Sequence, residues 1–449
     1  MKVKKHLFDL PDLFSCSVSI IGLGYVGLPL AVAFSKNKNC NLTNKLLNRQ
    51  IIGFDINEKR LLELKKGIDA TNEITHSDLK NLNQIKFTNN KEDLISSDVF
   101  IITVPTPICE NKLPDLNSIK RATETVSNII KLRVSERVKP IIIYESTVYP
   151  GTTEEVCIPI IEKISGLKLN KEFYCGYSPE RINPGDNKRK LTNIVKVTSG
   201  SDISAADWID KFYGSIIDAG THKAENIKVA EAAKIIENTQ RDINVAFMNE
   251  LSIIFNLMSI DTLDVLKAAG TKWNFLDFRP GLVGGHCIGV DPYYLKWKAE
   301  QLGYKPEVII SARNVNENMH KFIVDKINVH VESNLEDLNI LIMGYTFKEN
   351  CPDIRNTKIK DLIDYLKTFN PNISLYDPIA DFSHADKYIQ EIVIDKIDSS
   401  YKFDVIILTV AHQEFTEIKS IRSHEILNTN GLIFDFKGIL PKQTRVIRV

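Results

Sequence analysis

Residues 18–34, Val-Ser-Ile-Ile-Gly-Leu-Gly-Tyr-Val-Gly-Leu-Pro-Leu-Ala-Val-Ala-Phe, are apolar almost throughout, yet carry glycines at 22, 24 and 27 and a proline at 29. After the basic start Met1 to His6, that apolar length invites reading as a signal peptide or membrane anchor. Three glycines so close together make it a poor single helix. The spacing Gly22-x-Gly24-Tyr25-Val26-Gly27 follows a short apolar run and precedes a helical pattern, which predicts a strand, a tight turn and the start of a helix. Such a turn lets a pyrophosphate touch backbone and lie on the helix N-terminus.

A second apolar run, Ile51-Ile-Gly-Phe54, ends in Asp55. A carboxylate there accepts both ribose hydroxyls of NAD and repels a 2′-phosphate, so NAD is the expected cofactor. The gap from Gly27 to Asp55 exceeds the usual ~20 residues. The Asn- and Lys-rich residues 36–50 read as a loop insertion that accounts for it. Apolar runs at 99–104, 141–144 and 194–198 alternate with helical spacing such as 118–132, predicting a parallel, doubly wound sheet. Ligands collect at the carboxyl ends of such strands. Pro105-Thr106-Pro107, Glu145-Ser146-Thr147 and Tyr177-Ser-Pro-Glu180-Arg181 lie there.

Residues 225–256 run without Gly or Pro in a helical apolar period. Glu231, Lys234, Asn238 and Arg241 fall on one face of that helix. The face is either a solvated stripe or, given Ala230, Ala232 and Ala233 around it, a covered one. The apolar sides of so long a helix suit a dimer surface. Alternating strands resume at 339–343, 373–376, 404–409 and 432–436, a second and smaller α/β lobe. Its first turn begins at Gly344, lacks the glycine fingerprint and carries Lys348 and Arg355, cations suited to a nucleotide diphosphate.

Composition excludes several classes. Lys+Arg and Asp+Glu both number 57, so the chain lacks the basic footprint of a nucleic-acid binder. Seven cysteines without a Cys-x-x-Cys pair argue against a disulfide framework and a structural zinc site, and fit a reducing cytoplasm. No metal and no membrane partner are expected. Cys287 stands out, set in Gly284-Gly-His286-Cys287-Ile-Gly-Val-Asp291. A free cysteine is either a small buried hydrophobe or a nucleophile, and the flanking glycines permit close approach of backbone and ligand.

Taken together, Gly22-x-Gly24-Tyr-Val-Gly27, Glu145-Ser-Thr147, Tyr177-Ser-Pro-Glu180-Arg181, Lys234-x-x-x-Asn238 and Gly284-Gly-x-Cys287-x-x-x-Asp291 resemble the UDP-glucose/GDP-mannose dehydrogenase family in order and spacing. The segment from Phe275 through Arg279 to Asp291 looks like the branch acting on UDP-N-acetylhexosamines, since Gly289-Val290 stands where the glucose branch usually has Pro-Lys. The resemblance implies two Rossmann-like doubly wound lobes joined by a long central helix: an NAD-binding domain over 1–216, a helical dimerisation and catalytic domain over 217–329, and a UDP-binding domain over 330–449. It implies oxidation of C6 of UDP-N-acetylglucosamine to the acid for surface polysaccharide synthesis, by a homodimer. UDP-N-acetylmannosamine, UDP-N-acetylgalactosamine and UDP-glucose are the alternatives.

By the same resemblance, Cys287 holds the aldehyde as a thiohemiacetal between two hydride transfers, and Lys234 and Asn238 stabilise the oxyanion. Thr147 and Asp291 position water, and Glu180 is the general base. Gly22, Gly24, Tyr25, Val26, Gly27, Asp55, Arg60, Thr106, Thr147 and Arg355 match cofactor positions. Glu180, Arg181, Lys234, Asn238, Arg241, Phe275, Arg279, Gly284 and Lys348 match substrate positions. Pro184 stands where some glucose-specific relatives carry a second glutamate. Two rival readings are a one-step hydroxyacid dehydrogenase needing no thiol, and a non-catalytic NAD-sensing scaffold with His286 and Cys287 on a metal.

Overall fold

Buried Val and Ile runs make the strands. The computed structural model describes residues 10–71, 73–80, 85–133, 138–182, 189–285, 288–331, 333–417, 423–443 and 445–449. The chain divides into two compact units, residues 1–237 with 293–301, and residues 238–292 with 302–449. His286, Cys287 and Pro184 lie outside the described residues.

The first unit is built on β1 (Ser17–Ile21), β2 (Gln50–Phe54), β3 (Ile85–Thr88), β4 (Val99–Ile102), β5 (Ile141–Tyr144), β6 (Tyr174–Tyr177), β7 (Lys196–Gly200) and β8 (Thr221–Lys223). They lie in the order 3-2-1-4-5-6-7-8, which reverses direction between β1 and β4. Strands β1 to β6 are parallel. The central ones, β1, β4 and β5, are buried along their length, as a sheet covered by helices on both faces requires. The run expected at 194–198 breaks the pattern: β7 is antiparallel to β6, pairing Gly176 with Gly200 and Tyr177 with Ser199. A parallel return needs a long crossover, usually a helix. The described part of the 178–195 connection holds only a 3₁₀ turn, Leu191–Asn193.

The glycine-rich stretch is strand, turn and helix, and no described helix is long and apolar enough to cross a membrane. The insertion after the first helix (Gly27–Lys36) is a folded excursion. Asn39 and Leu46 form an antiparallel bridge, and Asn37 and Asn41 bond to the Ile216 and Ser215 carbonyls. Arg49 stacks on Phe34 and Phe212 and donates to the Leu13 carbonyl. The detour returns the chain to β2 beside β1, so Asp55 keeps its place.

The second unit carries a parallel sheet in the order β10-β9-β11-β12-β13. Its strands are β9 (Asn339–Met343), β10 (Asn372–Tyr376), β11 (Phe403–Leu408), β12 (Leu427–Asp435) and β13 (Val446–Arg448). The helices Glu307–His330 and Lys358–Lys367 close its core with Met319, Ile323, Ile327, Leu362 and Leu366. The central helix, Ile227–Leu257, starts in the first unit and ends in the second.

The first turn of each sheet is built alike. Gly22 (φ 97°) donates to the Phe54 carbonyl at 2.8 Å, and Gly344 (φ 103°) donates to that of Tyr376 at 2.9 Å. Asp55 then receives the Leu23 amide at 2.8 Å, as Asp377 receives that of Tyr345 at 2.6 Å. Only a residue that tolerates positive φ can end these strands so abruptly. The frame recurs in the second lobe although the fingerprint does not.

Candidate active site

In the first unit the glycines serve distinct ends. A Cβ on Gly27 would lie 1.9 Å from the Gly22 carbonyl oxygen and 2.5 Å from Thr103 Oγ1, so the helix start packs directly on the turn. A Cβ on Gly24 would meet nothing within 4 Å, which leaves the turn open where a pyrophosphate would approach. Tyr25 and Val26 are half-buried beside it. Asp55 Oδ2 accepts the Leu23 amide and Oδ1 the Asn57 amide, both at 2.8 Å, which fixes the carboxylate at the turn with lone pairs to spare. Arg60 is buried: it donates to the Leu23 carbonyl at 2.9 Å and to Asp69 at 2.7 Å, so it braces the turn. These residues fit a dinucleotide.

The loops after β4 and β5 are stitched together. Thr106 Oγ1 donates to the Thr147 carbonyl at 2.5 Å and Ser146 Oγ to that of Val104 at 2.6 Å. Tyr294 donates to the Thr106 and Pro107 carbonyls. After β6, Glu180 Oε1 accepts the Arg181 and Ile182 amides at 2.5 Å each. Glu180 Oε2 is buried with no hydrogen-bond partner among the described residues. Arg181 bridges the Val195 carbonyl and Glu237 of the central helix.

The polar stripe of that helix is mostly covered. Glu231 is fully buried, Lys234 and Asn238 are each 8% exposed, and Arg241 alone of the four is exposed. Glu231 receives the Gly151 amide at 2.5 Å, and the Thr153 amide and hydroxyl at 2.9 and 2.7 Å, which caps the helical segment starting at Thr153. Burial pushes its carboxyl up to about 7 against those bonds. Lys234 makes no hydrogen bond or ion pair among the described residues. A nearly buried ammonium so placed has capacity for an anionic ligand.

In the second unit, Asn238 donates to Asp291 Oδ2 at 2.6 Å, and Asp291, 2% exposed, opens the helix Asp291–Gln301. Gly284 and Gly285 are held to glycine by protein packing. A Cβ on Gly284 would sit 2.6 Å from the Asn356 carbonyl oxygen, and one on Gly285 (φ 81°) 2.8 Å from the Phe347 ring. This presses the segment before Cys287 onto the loop that carries half-buried Lys348 and exposed Arg355. Arg355 forks onto Asp353. Phe275 is half-buried, and exposed Arg279 pairs with Asp277 at 2.7 Å.

Sequence reading missed Asn249. Its side chain clamps Gly281 through both backbone groups at 2.9 Å and donates to Asn316 at 2.8 Å. Asn316 and Arg313 in turn hold buried Asp242. Asn238, Asp242 and Asn249 share one helix face, a polar periodicity that could have marked it. Glu145 and Lys196 were likewise unassigned. They form a buried pair at 2.7 Å.

A switch-point sheet with an open glycine turn, an acidic second strand end and a buried lysine define a dehydrogenase of the doubly wound, NAD-binding class. The chain belongs to the UDP-glucose/GDP-mannose dehydrogenase family: the family's NAD binding domain matches residues 16–217, its central domain 228–318 and its UDP binding domain 341–442. A UDP-N-acetyl-D-glucosamine 6-dehydrogenase of Salmonella typhi is 48% identical over 435 residues, covering 96% of this chain and 98% of that protein. One of Pseudomonas aeruginosa is 48% identical over 441 residues, covering 96% and 99%. The solved UDP-D-ManNAc dehydrogenase of Pyrococcus horikoshii superposes with a TM-score of 0.80 at 26% identity, covering 96% of this chain and 98% of that one. The family resemblance read from the motifs is borne out.

Proposed function

We propose that the enzyme oxidises C6 of UDP-N-acetylglucosamine to the carboxylate, in two steps, for surface polysaccharide synthesis in the cytoplasm. The near-full-length 48% identity to the two UDP-N-acetyl-D-glucosamine 6-dehydrogenases carries this reading. NAD, when bound, accepts a hydride in each oxidation. The residues proposed to hold it are Gly22, Gly24, Tyr25, Val26, Gly27, Asp55, Arg60, Thr106, Thr147 and Arg355.

Lys234 and Asn238, one turn apart, hold the C6 oxygen while negative charge develops on it. The Cys287 thiolate bonds to the aldehyde carbon, and the carbonyl oxygen takes up the proton that the alcohol gave up in the first oxidation, which keeps the aldehyde from hydration and leaves a hydroxyl on C6. Loss of the second hydride from C6, with the hydroxyl proton passing to solvent, turns this adduct into a thioester. Water, placed by Thr147 and Asp291, adds to the carbonyl as Glu180 takes its proton. The thiolate then leaves and the acid is released. Arg181, Arg241, Phe275, Arg279, Gly284 and Lys348 are proposed for the UDP-sugar.

A homodimer belongs to the same proposal. Val229, Phe247 and Leu257 of the central helix are 44%, 52% and 81% exposed, apolar area suited to a second copy. The test is NADH formation with a panel of UDP-sugars. UDP-N-acetylglucosamine should show the highest kcat/KM and yield two NADH per sugar. A higher value for another epimer would overturn the substrate, and one NADH per sugar would overturn the two-step chemistry.

A further inference from the structure

The reversal of β7 has a chemical effect. In a parallel strand the first residue lies at the amino edge of the sheet, away from ligands. Because β7 is antiparallel to β6, its first residue, Lys196, lies at the carboxyl edge. Extending the register of Tyr177 with Ser199 by three residues sets Glu180 opposite Lys196. Ser178 Oγ donates to the Val197 carbonyl at 2.7 Å, which keeps that alignment beyond the ladder.

The Lys196 ammonium is 3% exposed and donates to Glu145 Oε2 at 2.7 Å and to the Pro179 carbonyl at 3.0 Å. Its distance to Glu180 Oε2 is 3.9 Å. Glu145 has no oxygen left over, since Oε1 receives the Tyr213 hydroxyl at 2.5 Å. Burial raises the Glu145 carboxyl, with the Lys196 charge opposing and the Glu180 charge adding to the rise. Two carboxylates thus share one buried ammonium, and only Glu180 keeps an unbonded oxygen among the described residues. Such an oxygen can take a proton without first breaking a bond. Among the described residues, the neighbouring Arg181 is drawn off to Glu237 at 2.7 Å.

We propose that Lys196 is the positioning residue of Glu180: held by Glu145 and the Pro179 carbonyl, its ammonium aligns the Glu180 carboxylate so that Oε2 serves as the base. This rests on the reading of Glu180 as general base given above. Removing the ammonium leaves two facing carboxylates with no cation between them. Removing the Glu145 charge instead frees Lys196 for Glu180.

The experiment is the pH dependence of kcat, with KM for UDP-N-acetylglucosamine and NAD, for the wild type, Lys196→Met, Glu145→Gln and Glu180→Gln. Loss of a charge partner at this range moves a carboxyl by about 1 to 3 pH units. The acid limb of Lys196→Met should therefore rise by about one unit or more, with kcat near neutrality down about tenfold and both KM values within about twofold. The limb of Glu145→Gln should fall. A Lys196→Met limb that overlays the wild type would overturn the inference, and so would a Glu145→Gln limb that stays or rises. Should Lys196→Met not fold, the direction of the Glu145→Gln shift decides alone. Glu180→Gln separates the two levels: wild-type kcat in that variant sinks the base assignment itself, whereas its inactivation beside an unmoved Lys196→Met limb sinks the role of Lys196 only.

Discussion

Lys234 is nearly buried, and no carboxylate pairs with it among the described residues. Such an ammonium is worth most when negative charge develops beside it, so its removal should act on rate more than on affinity. Lys234→Ala is expected to lower kcat about 100- to 1000-fold with KM little changed, and steady-state kinetics checks the split. Cys287→Ser should bind both ligands yet turn over at least about 100-fold more slowly, because a hydroxyl is a weaker nucleophile and an ester a less labile adduct. Turnover of that variant at the wild-type rate, with two NADH per sugar, would falsify the covalent route. Asp55 is pinned by the Leu23 and Asn57 amides, so in its proposed place at the ribose it would not swing away from a 2′-phosphate. Like charge so placed costs several kcal/mol, so kcat/KM should favour NAD over NADP by at least about 100-fold. Parity between the two cofactors would remove Asp55 from the ribose site.

At the scale of elements, the central helix does more than span. Its first turns deliver Glu231 to the start of the helical segment at Thr153, fixing the loop that follows β5 and bears Thr147. The native carboxyl is raised to about 7 from the ordinary 4.5, so the folded state binds a proton that the unfolded chain releases. For a carboxyl raised in this way, the stabilising contribution is complete below about 4.5 and declines as pH rises toward 7. Urea midpoints of wild type and Glu231→Gln should therefore move apart between pH 5 and 7.5, the wild type losing at most about 3 kcal/mol relative to the variant. A pH-independent difference would mean that the three donors keep Glu231 ionised throughout. The sheets divide similarly between local and distant causes. The strand at 194–198 is readable from its apolar run, whereas its direction depends on what lies across from it.

At the scale of the molecule, the proposed dimer rests on the exposed apolar residues of the central helix. Light scattering should give the wild type twice the 50.9 kDa chain mass and Phe247→Glu a single chain mass, whereas a monomeric wild type would remove the dimer from the proposal. The amino-acid sequence by itself determined the glycine turn, the acidic end of β2, the central helix and four strands of the second lobe. Each of these rests on contacts within a few residues: Gly27 is demanded by the Gly22 carbonyl five positions before it, and the helix by the period of its own side chains. Short strands were not legible. β13 has three residues, and β6 contains Cys175 and Gly176, so neither carries a periodic apolar signal. Only the tertiary structure decided that Glu145 meets Lys196 across 51 residues, that Glu231 caps a segment 78 residues away and that Asn249 holds Asn316 at a separation of 67. Nor could spacing disclose that Gly284 and Gly285 yield to Asn356 and Phe347. A buried polar group must find a partner, but the chain records only the group. Where the partner stands depends on the direction of β7 and the packing of helices, which distant burial sets.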